Sequence, residues 1–306
     1  LARWGVTDAD KLRWMTPPPA AALSSCRQLL ASLDLLDSHG RLTVLGQRCA
    51  EWPTHPRYAL MLESCRQQPE LAATACWLVA WLEERPGDSD ADLAQCLARR
   101  ASGRWLQSAR QWARRLRCQL DAADMEAAPI LLARIFPERV AQHQADGRFK
   151  LASGGQAILP AHQTLRNQPL LVAIELDGQA SAARVFHAIA ITREALAQAL
   201  PASSKWQDCV YWDDKGGRLV AEQQQRLGEL ILNRRQPQNT DASLAPEKIR
   251  QALVDALRRD GRLPWSDDDQ SLLGRLRLLN RVLGEPWPDV SDEALLRTVD
   301  VWLGPH

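Results

Sequence analysis

The sequence has 306 residues, of which 45% are hydrophobic and 25% are charged, so it has the composition of a folded protein with room for two or three domains. Its 38 basic and 37 acidic residues give a net charge of +1, so any basic surface must be local. The seven cysteines include no C-x-x-C pair, which argues against a zinc site or a disulfide framework and predicts buried thiols in a reducing compartment. No apolar run approaches the ~20 residues that cross a bilayer, and no signal peptide opens the chain. We therefore predict a cytosolic protein.

The stretch from Ala21 to Cys65 predicts three short helices separated by turns. Apolar residues at three- and four-residue spacing predict a first helix with one buried face. These residues are Leu23, Cys26, Leu30, Leu33 and Leu36. Ser38-His39-Gly40 then ends this helix, and a β-compatible segment precedes a second helix near Val44. Pro53 and Pro56 separate the second helix from a third, because proline cannot donate to a helical ladder. A helix followed by a small hairpin is typical of the second half of a winged-helix unit.

The following residues, to about 126, predict a helical bundle. One apolar stripe comprises Leu71, Ala75, Leu78 and Leu82, and another comprises Trp105, Ala109, Trp112, Leu116 and Leu120. Each stripe keeps the helical spacing over several turns.

The composition becomes strand-like after Pro129. The predicted strands cover residues 139–144, 148–152, 170–176, 185–191, 206–213, 218–223 and 227–232. Asp146-Gly147 predicts a hairpin between the first two strands. Short strands with a single helix, at residues 192–200, predict a small barrel of the oligonucleotide-binding kind.

A polar linker at residues 234–244 leads to a final helical segment. Pro246 suits the first turn of a helix. A second stripe comprises Leu272, Leu276, Leu279 and Leu283, and a third comprises Leu295, Val299 and Trp302. The predicted fold class is α+β and mostly helical.

The sequence predicts neither a catalytic nor a metal site. It contains no Gly-Lys-Ser or Gly-Lys-Thr, the residues with which a nucleotide-binding loop ends. Asp292-Glu293-Ala294 matches three letters of a DEAH motif, but its context predicts the acidic first turn of a helix capped by Ser291. The six histidines lack the spacing of metal ligands. We predict that this chain alone does not hydrolyse nucleotides.

Binding to a nucleic-acid backbone is the remaining prediction. Between Leu93 and Leu120 there are seven arginines and no acidic residue. Arginine forks match phosphate geometry, and neutralised phosphates release counterions. The predicted contacts are Arg99, Arg100, Arg110, Arg114 and Arg117 in the bundle, with Arg139, Arg148 and Lys150 in the barrel. Phe149 is the best candidate there for base stacking. The alternative is a solvated basic face, or one that pairs with carboxylates of a neighbouring domain.

Four segments in a fixed order carry a family resemblance. They are Leu35-Leu36-Asp37, Gly40-x-Leu42-Thr43-x-Leu45-Gly46, Trp52-Pro53-x-His55-Pro56-Arg57 and Leu60-Met61-Leu62. In this order they resemble the junction of the winged-helix and ratchet domains of DEAH-box RNA helicases. The last part, with Trp287-Pro288 and the ending from Val301 to His306, resembles the carboxyl-terminal extension of the bacterial HrpB type.

The resemblance implies four parts. They are a partial winged-helix segment (1–45), a ratchet-like bundle (46–126), an oligonucleotide-binding-like barrel (127–236) and a helical extension (237–306). It also implies an accessory role beside RecA-like motor domains upstream in the same polypeptide, which would bind ATP and Mg²⁺, with single-stranded RNA as the partner. Because the chain starts at Leu1, we expect it to be the carboxyl-terminal piece of a longer protein.

Two functions of other classes stay open. A winged-helix transcriptional regulator would need a complete recognition helix near the amino terminus, and residues 1–19 have no room for one. A non-catalytic scaffold would use the helical extension to hold a protein partner and would ignore RNA.

Overall fold

The computed structural model describes residues 1–6, 9, 12–85, 90–99, 103–179, 182–237, 246–261 and 263–302. They belong to two compact units. The first comprises Leu1–Ser204 with Leu227–Leu230, and the second comprises Lys205–Arg226 with Ile231–His306. Among the described residues, no helix has both the length and the apolar character needed to traverse a bilayer.

The first unit begins with seven helices among its described residues. They are α1 (Ala20–Ser32), α2 (Val44–Cys49), α3 (Pro56–Ser64), α4 (Pro69–Glu84), α5 (Leu93–Ala98), α6 (Gly103–Leu116) and α7 (Ala128–Ile135). Proline starts α3 and α4, where its missing N–H costs nothing. The central helix is α4, which contacts α3, α6 and α7 and buries residues on every side. The predicted helical bundle is therefore present.

The prediction that α1 buries one face is wrong over most of its length. Cys26 is exposed, Leu23 and Leu30 are only half-buried, and no residue within α1 is fully buried. Burial starts at Leu33, beyond the end of the helix, where a small cluster forms with Cys49 of α2. Helical spacing identified the apolar face, but its burial depends on neighbours that cover only the end of α1.

A closed five-stranded barrel follows the bundle. Its strands are β1 (Val140–Ala145), β2 (Arg148–Leu151), β3 (Gln156–Ile158), β4 (Leu170–Leu176) and β5 (Ala183–Ala190). They close in the order β1-β2-β3-β5-β4, with β3 and β5 parallel and the other neighbours antiparallel. Asp146 and Gly147 have φ values of 51° and 71°, so the predicted hairpin is confirmed. Helix α8 (Arg193–Ala199) follows β5.

The second unit holds the remaining strands, which the sequence had placed in the barrel. β6 (Trp206–Asp213), β7 (Arg218–Leu227) and β8 (Leu230–Arg235) form a sheet of their own in the order β6-β7-β8. The placement in the barrel is therefore wrong. The barrel closes without them, so it has no free edge for them to join, and β6 and β7 pair with each other over eight positions. β3 was missed because three residues are too few for a recognisable pattern. The division into four domains stays a prediction.

Helices α9 (Pro246–Asp260), α10 (Asp267–Leu283), α11 (Asp292–Arg297) and α12 (Val299–Trp302) complete the second unit. The predicted start at Pro246 is confirmed. Ser291 accepts a hydrogen bond from the Ala294 N–H, which confirms that Asp292-Glu293 is a capped helix start. The predicted stripe on α10 is not buried: Leu272 and Leu283 are 56% and 61% exposed. The segment before α11 instead contacts α10 through Arg277 and Asn280, on another side of the helix.

Cysteine reactivity tests the packing of the bundle. Burial raises the pKa of Cys49 to about 11, and burial also raises the pKa of Cys65 and of Cys76. Because the thiolate is the nucleophile, we expect an aromatic disulfide reagent at about pH 8 to label exposed Cys26 about 10²-fold faster than these three thiols. A Cys26→Ser variant should lose the fast phase. Fast labelling of Cys49 in the folded chain would contradict the packing.

Gly46 tests the junction between α1 and α2. A Cβ atom there would lie 2.1 Å from the carbonyl oxygen of Leu35, which is backbone and cannot move away cheaply. We expect Gly46→Ala to lower the free energy of unfolding by about 1–3 kcal/mol. The matched control is Gly274→Ala in α10, where a Cβ meets no atom within 4 Å and should stabilise by about 0.5–1 kcal/mol. Urea unfolding of both variants provides the measurement, and equal midpoints would be evidence against this packing.

Candidate nucleic-acid interface

The first group of basic residues lies on α6. Arg110 and Arg114 are exposed on one side of this helix, and Arg117 is exposed directly after its end at Leu116, with a φ of 57°. We call these three residues the α6 arginine face. Among the described residues, none of the three forms an ion pair. The last two lie near the carboxyl terminus of α6, where the helix dipole favours positive charge. This surface therefore presents uncompensated guanidinium groups to solvent.

The opposite side of α6 holds the helix in place. Trp105, Ala109, Trp112 and Leu116 are all buried, as their spacing predicts. The indole N–H of Trp105 donates to the carbonyl of Trp77, and that of Trp112 donates to the Glu83 carboxylate at 2.9 Å. Anchored indoles on one side fix the direction in which the arginines on the other side point.

A second group of arginines converges from distant parts of the chain. Arg57 at the start of α3, Arg85 at the end of α4 and Arg139 before β1 line one cavity of about 290 Å³. We call this cavity the three-arginine cleft. The Arg57 and Arg139 guanidiniums lie 4.8 Å and 4.9 Å from the centroid of the Phe136 ring. Cation–π contact with one ring thus holds two of the three cations beside each other.

Two carboxylates partly neutralise the three-arginine cleft. Glu138 accepts from Arg57 at 2.6 Å, and Glu175 lies 3.4 Å from Arg85. Burial lowers the pKa of Arg139, the Glu138 carboxylate at 3.6 Å acts in the opposite direction, and the neighbouring charges of Arg57 and Arg85 lower that pKa further. Such mutual repulsion is relieved by an anion, so the cleft suits a phosphate group.

The other polar groups of the cleft are uncharged. Burial lowers the pKa of His55, and the charges of Arg57 and Arg139 lower it further, so the ring is neutral at pH 7. Its Nδ1 accepts from the backbone N–H of Arg57 at 3.3 Å. Burial raises the pKa of Tyr58, which leaves its phenol protonated. Three guanidiniums against two carboxylates give the cleft a net positive charge.

The three-arginine cleft and the end of α6 both border one loop, residues 52–55, which precedes α3. On one side lies the three-arginine cleft, with His55 in its wall. On the other side a cavity of about 630 Å³ is lined by Pro53 together with Arg114 and Arg115 of α6. Glu83 connects the two sides, since it accepts from Trp112 of α6 and from Thr54 of the loop. Five arginines from four elements therefore surround one loop.

The barrel residues predicted to bind nucleic acid are arranged less favourably. Arg148 is exposed at the start of β2. The Lys150 ammonium donates to the backbone carbonyl of Glu229 at 2.9 Å, so one of its hydrogen-bond donors is already engaged within the protein. Phe149 is fully buried in the barrel core, which excludes the predicted stacking role. Phe186 on β5 is 41% exposed instead, with the Arg184 guanidinium 5.6 Å from its ring centroid.

The predicted residues thus fall into different places. Arg110 and Arg114 share one side of α6, whereas Arg117 follows the end of that helix. Arg139 lies in the three-arginine cleft, and Arg99 lies 3.9 Å from the Asp90 carboxylate. Arg100 lies outside the described residues. Arg57 and Arg85 were not among the predicted contacts. Arg57 closes the Trp52-Pro53-x-His55-Pro56 segment, and that position was the one available signal. The described residues contain no group of three side chains arranged as metal ligands.

Comparison with known proteins agrees with this architecture. A family model described as "ATP-dependent RNA helicase HrpB, connector region" matches residues 204–236. The ATP-dependent RNA helicase HrpB of Escherichia coli strain K12 is 34% identical over 314 aligned residues, which cover 100% of this chain and 38% of that protein. The chain corresponds to the carboxyl-terminal part of an HrpB-type helicase. The predicted resemblance is thereby confirmed.

Solved structures extend the HrpB similarity to three dimensions. Two crystal structures of E. coli HrpB, one described as a DExH-box NTPase and one as a DEAH/RHA helicase, align with a TM-score of 0.75 at 32% and 31% identity. Each alignment covers 100% of this chain and 38% of the E. coli HrpB chain. A human probable ATP-dependent RNA helicase, DHX35, is 40% identical over 63 residues, which are 20% of this chain and 9% of that protein. The chain therefore spans less than two fifths of the HrpB proteins it matches.

Proposed function

We propose that this chain is the accessory region of an ATP-dependent RNA helicase and that it holds single-stranded RNA by its phosphates. The strand would pass along the loop of residues 52–55, between the α6 arginine face and the three-arginine cleft. RecA-like domains of the same polypeptide would bind ATP and Mg²⁺ and hydrolyse the nucleotide. Their opening and closing would move the strand past this fixed contact.

One observation carries the proposal. Arg57, Arg85, Arg139, Arg114 and Arg115 surround one loop, whereas three carboxylates, Glu83, Glu138 and Glu175, lie beside them. Clustering of cations from four separate elements has an electrostatic cost unless an anion binds. A polyanion that is bound through its phosphates, without base-specific contacts, would neutralise these clustered cations. Similarity to two proteins described as ATP-dependent RNA helicases supports RNA as the polyanion.

The finer domain assignments belong to the same proposal. The strand order of the barrel, with a parallel β3–β5 contact, supports an oligonucleotide-binding-like fold. Phe186 and Arg184 would supply stacking and charge on its surface. Helices α2 to α6 would act as the ratchet-like bundle, and α1 with the Leu36–Leu42 bridge as the remainder of a winged-helix unit. A cytosolic location remains a prediction.

Fluorescence anisotropy with labelled single-stranded RNA tests the proposal. We expect binding that tolerates changes of sequence and weakens from about 50 to about 200 mM salt, with a logarithmic slope of about −3 for four to five phosphate contacts. Binding without salt dependence, or no binding, would contradict the proposal. The sequence encoded upstream should also contain a phosphate-binding loop, and its absence would remove the motor from the proposal.

A scaffold function has one observation in its favour. The exposed stripe of α10, with Leu272 and Leu283, is apolar surface of the kind that binds proteins. If the chain is a scaffold, it should not bind RNA in the same experiment. Retained RNA binding by a Leu272→Ser, Leu283→Ser variant would separate the stripe from the RNA contact.

A further inference from the structure

The second unit contains a polar cavity that the helicase function does not use. Its volume is about 640 Å³, and side chains from all three strands of the β6-β7-β8 sheet and from α9 line it. The polar groups include Tyr211, Gln224, Arg226, Arg234, Lys248 and Asp255. A volume of this size holds a small organic ligand. Most of these residues lie in the segment that matches the HrpB connector region.

Two groups in this cavity lack partners among the described residues. Gln224 is only 4% exposed, and its Oε1 has no hydrogen-bond donor. The buried Nε of Arg226 has no acceptor. The two residues are two apart on β7, so they lie on the same face of the sheet. Buried polar groups without partners are rare in folded proteins, and each needs an explanation.

The orientation of the Gln224 amide follows from its neighbour. Its Nε2 donates to the Glu222 carboxylate, which also accepts from the Tyr211 hydroxyl at 3.3 Å. Rotating the amide would bring its oxygen against that carboxylate, so the oxygen must point away from Glu222. The unsatisfied acceptor is therefore a property of the site.

The charges divide into paired and unpaired groups. Lys248 is 3.1 Å from Asp208, and Arg234 is 3.5 Å from Glu222. Within the described part of the chain, the guanidinium of Arg226 forms no ion pair. A fitting ligand must therefore bring an anion or acceptor to Arg226 and an N–H or O–H donor to Gln224. The Tyr211 ring lies in the same cavity and can contact a flat group.

We propose that this cavity binds a single nucleotide, with its phosphate at Arg226 and a donor of its base or ribose at Gln224. Nucleotides combine an anion, hydrogen-bond donors and a flat ring, which are the three features that the cavity complements. The site lies in a different unit from the α6 arginine face and does not depend on it. It would bind one unstacked nucleotide or a free nucleoside monophosphate by the same chemistry.

Calorimetric titration of the whole chain with each of the four nucleoside monophosphates tests the site. We expect saturable one-to-one binding that Arg226→Met weakens at least about tenfold, since the phosphate loses its charge-assisted contact. Gln224→Leu should reduce the differences in affinity among the four nucleotides. Competition with a short oligonucleotide then distinguishes a strand end from a free nucleotide.

The controls are Arg218→Met, which removes an exposed arginine from the same strand, and Gln270→Leu on exposed α10. Both should bind like the unaltered chain. Because the partnerless Nε is removed, Arg226→Met should unfold at the same temperature as the parent or higher, whereas Gln224→Leu also loses its hydrogen bond to Glu222 and is compared by binding alone. No heat at millimolar nucleotide, or equal affinity of all variants, would overturn the proposal. A lowered unfolding temperature of Arg226→Met would also overturn it, since that guanidinium would then be structural.

Discussion

Arg110→Glu combined with Arg114→Glu is expected to weaken binding of single-stranded RNA about a hundredfold near 0.1 M salt. Each lost contact with a single strand lowers the logarithmic salt slope by about 0.7, so the slope should fall by about 1.4. The introduced carboxylates add repulsion of similar size. Both side chains are exposed and have no ion pair among the described residues, so the substitutions should leave folding intact. Anisotropy titrations at several salt concentrations provide the measurement.

A matched double variant controls for total charge. Arg275→Glu with Arg281→Glu changes the net charge by the same amount on the exposed part of α10. If the α6 arginine face binds the strand, this control should change the affinity by less than about threefold at 0.1 M salt. Equal losses in both variants would mean that net charge, and not the α6 arginine face, governs binding.

Arg57→Met is expected to lower the free energy of unfolding by about 3 kcal/mol. Arg57 is 6% exposed, and its guanidinium donates both to the Glu138 carboxylate and to the backbone carbonyl of Ile135. Removing it leaves a half-buried carboxylate and a carbonyl without their partner, which costs more than the ion pair contributed. For a unit of this size the melting temperature should fall by about 6–12 °C.

A second substitution isolates the unpaired charge. Glu138→Gln in the Arg57→Met background should recover part of the loss, because the remaining partner no longer carries a charge. Arg85→Met serves as the surface control: its side chain is 65% exposed, so the expected loss is less than about 1 kcal/mol. Under the proposed function both arginine variants weaken RNA binding, although only the first unfolds easily. An Arg57→Met chain as stable as the parent would be evidence against the cleft geometry.

Local chemistry explains which elements could be predicted. The face of α6 follows from spacing alone, since Trp105 and Trp112 had to be buried together and Arg110 and Arg114 had to lie opposite. The turn at Asp146-Gly147 follows from the φ values that this pair tolerates. These features depend on residues close in sequence.

Other features depend on contacts that no short pattern contains. The α1 stripe is helical as predicted, but whether Cys26 is buried depends on which helices reach it. Strands were recognisable from the sequence beyond residue 205. However, only the closure of the barrel through β3 decided that β6 to β8 form a separate sheet. Phe149 has the chemistry of a stacking residue, but its position on β2 points it into the barrel core.

The sequence by itself determined the order of helices and strands, the basic character of α6 and the HrpB-type resemblance, because these rest on local propensity and on the order of motifs. Only the tertiary structure decided that Arg57, Arg85 and Arg139 share one cleft, and that the Oε1 of Gln224 and the Nε of Arg226 lack partners in another cavity. Both outcomes require side chains far apart in the chain, or on facing elements, to meet in space. These contacts depend on how the helices and strands pack against each other. The spacing of residues along one segment does not specify that packing.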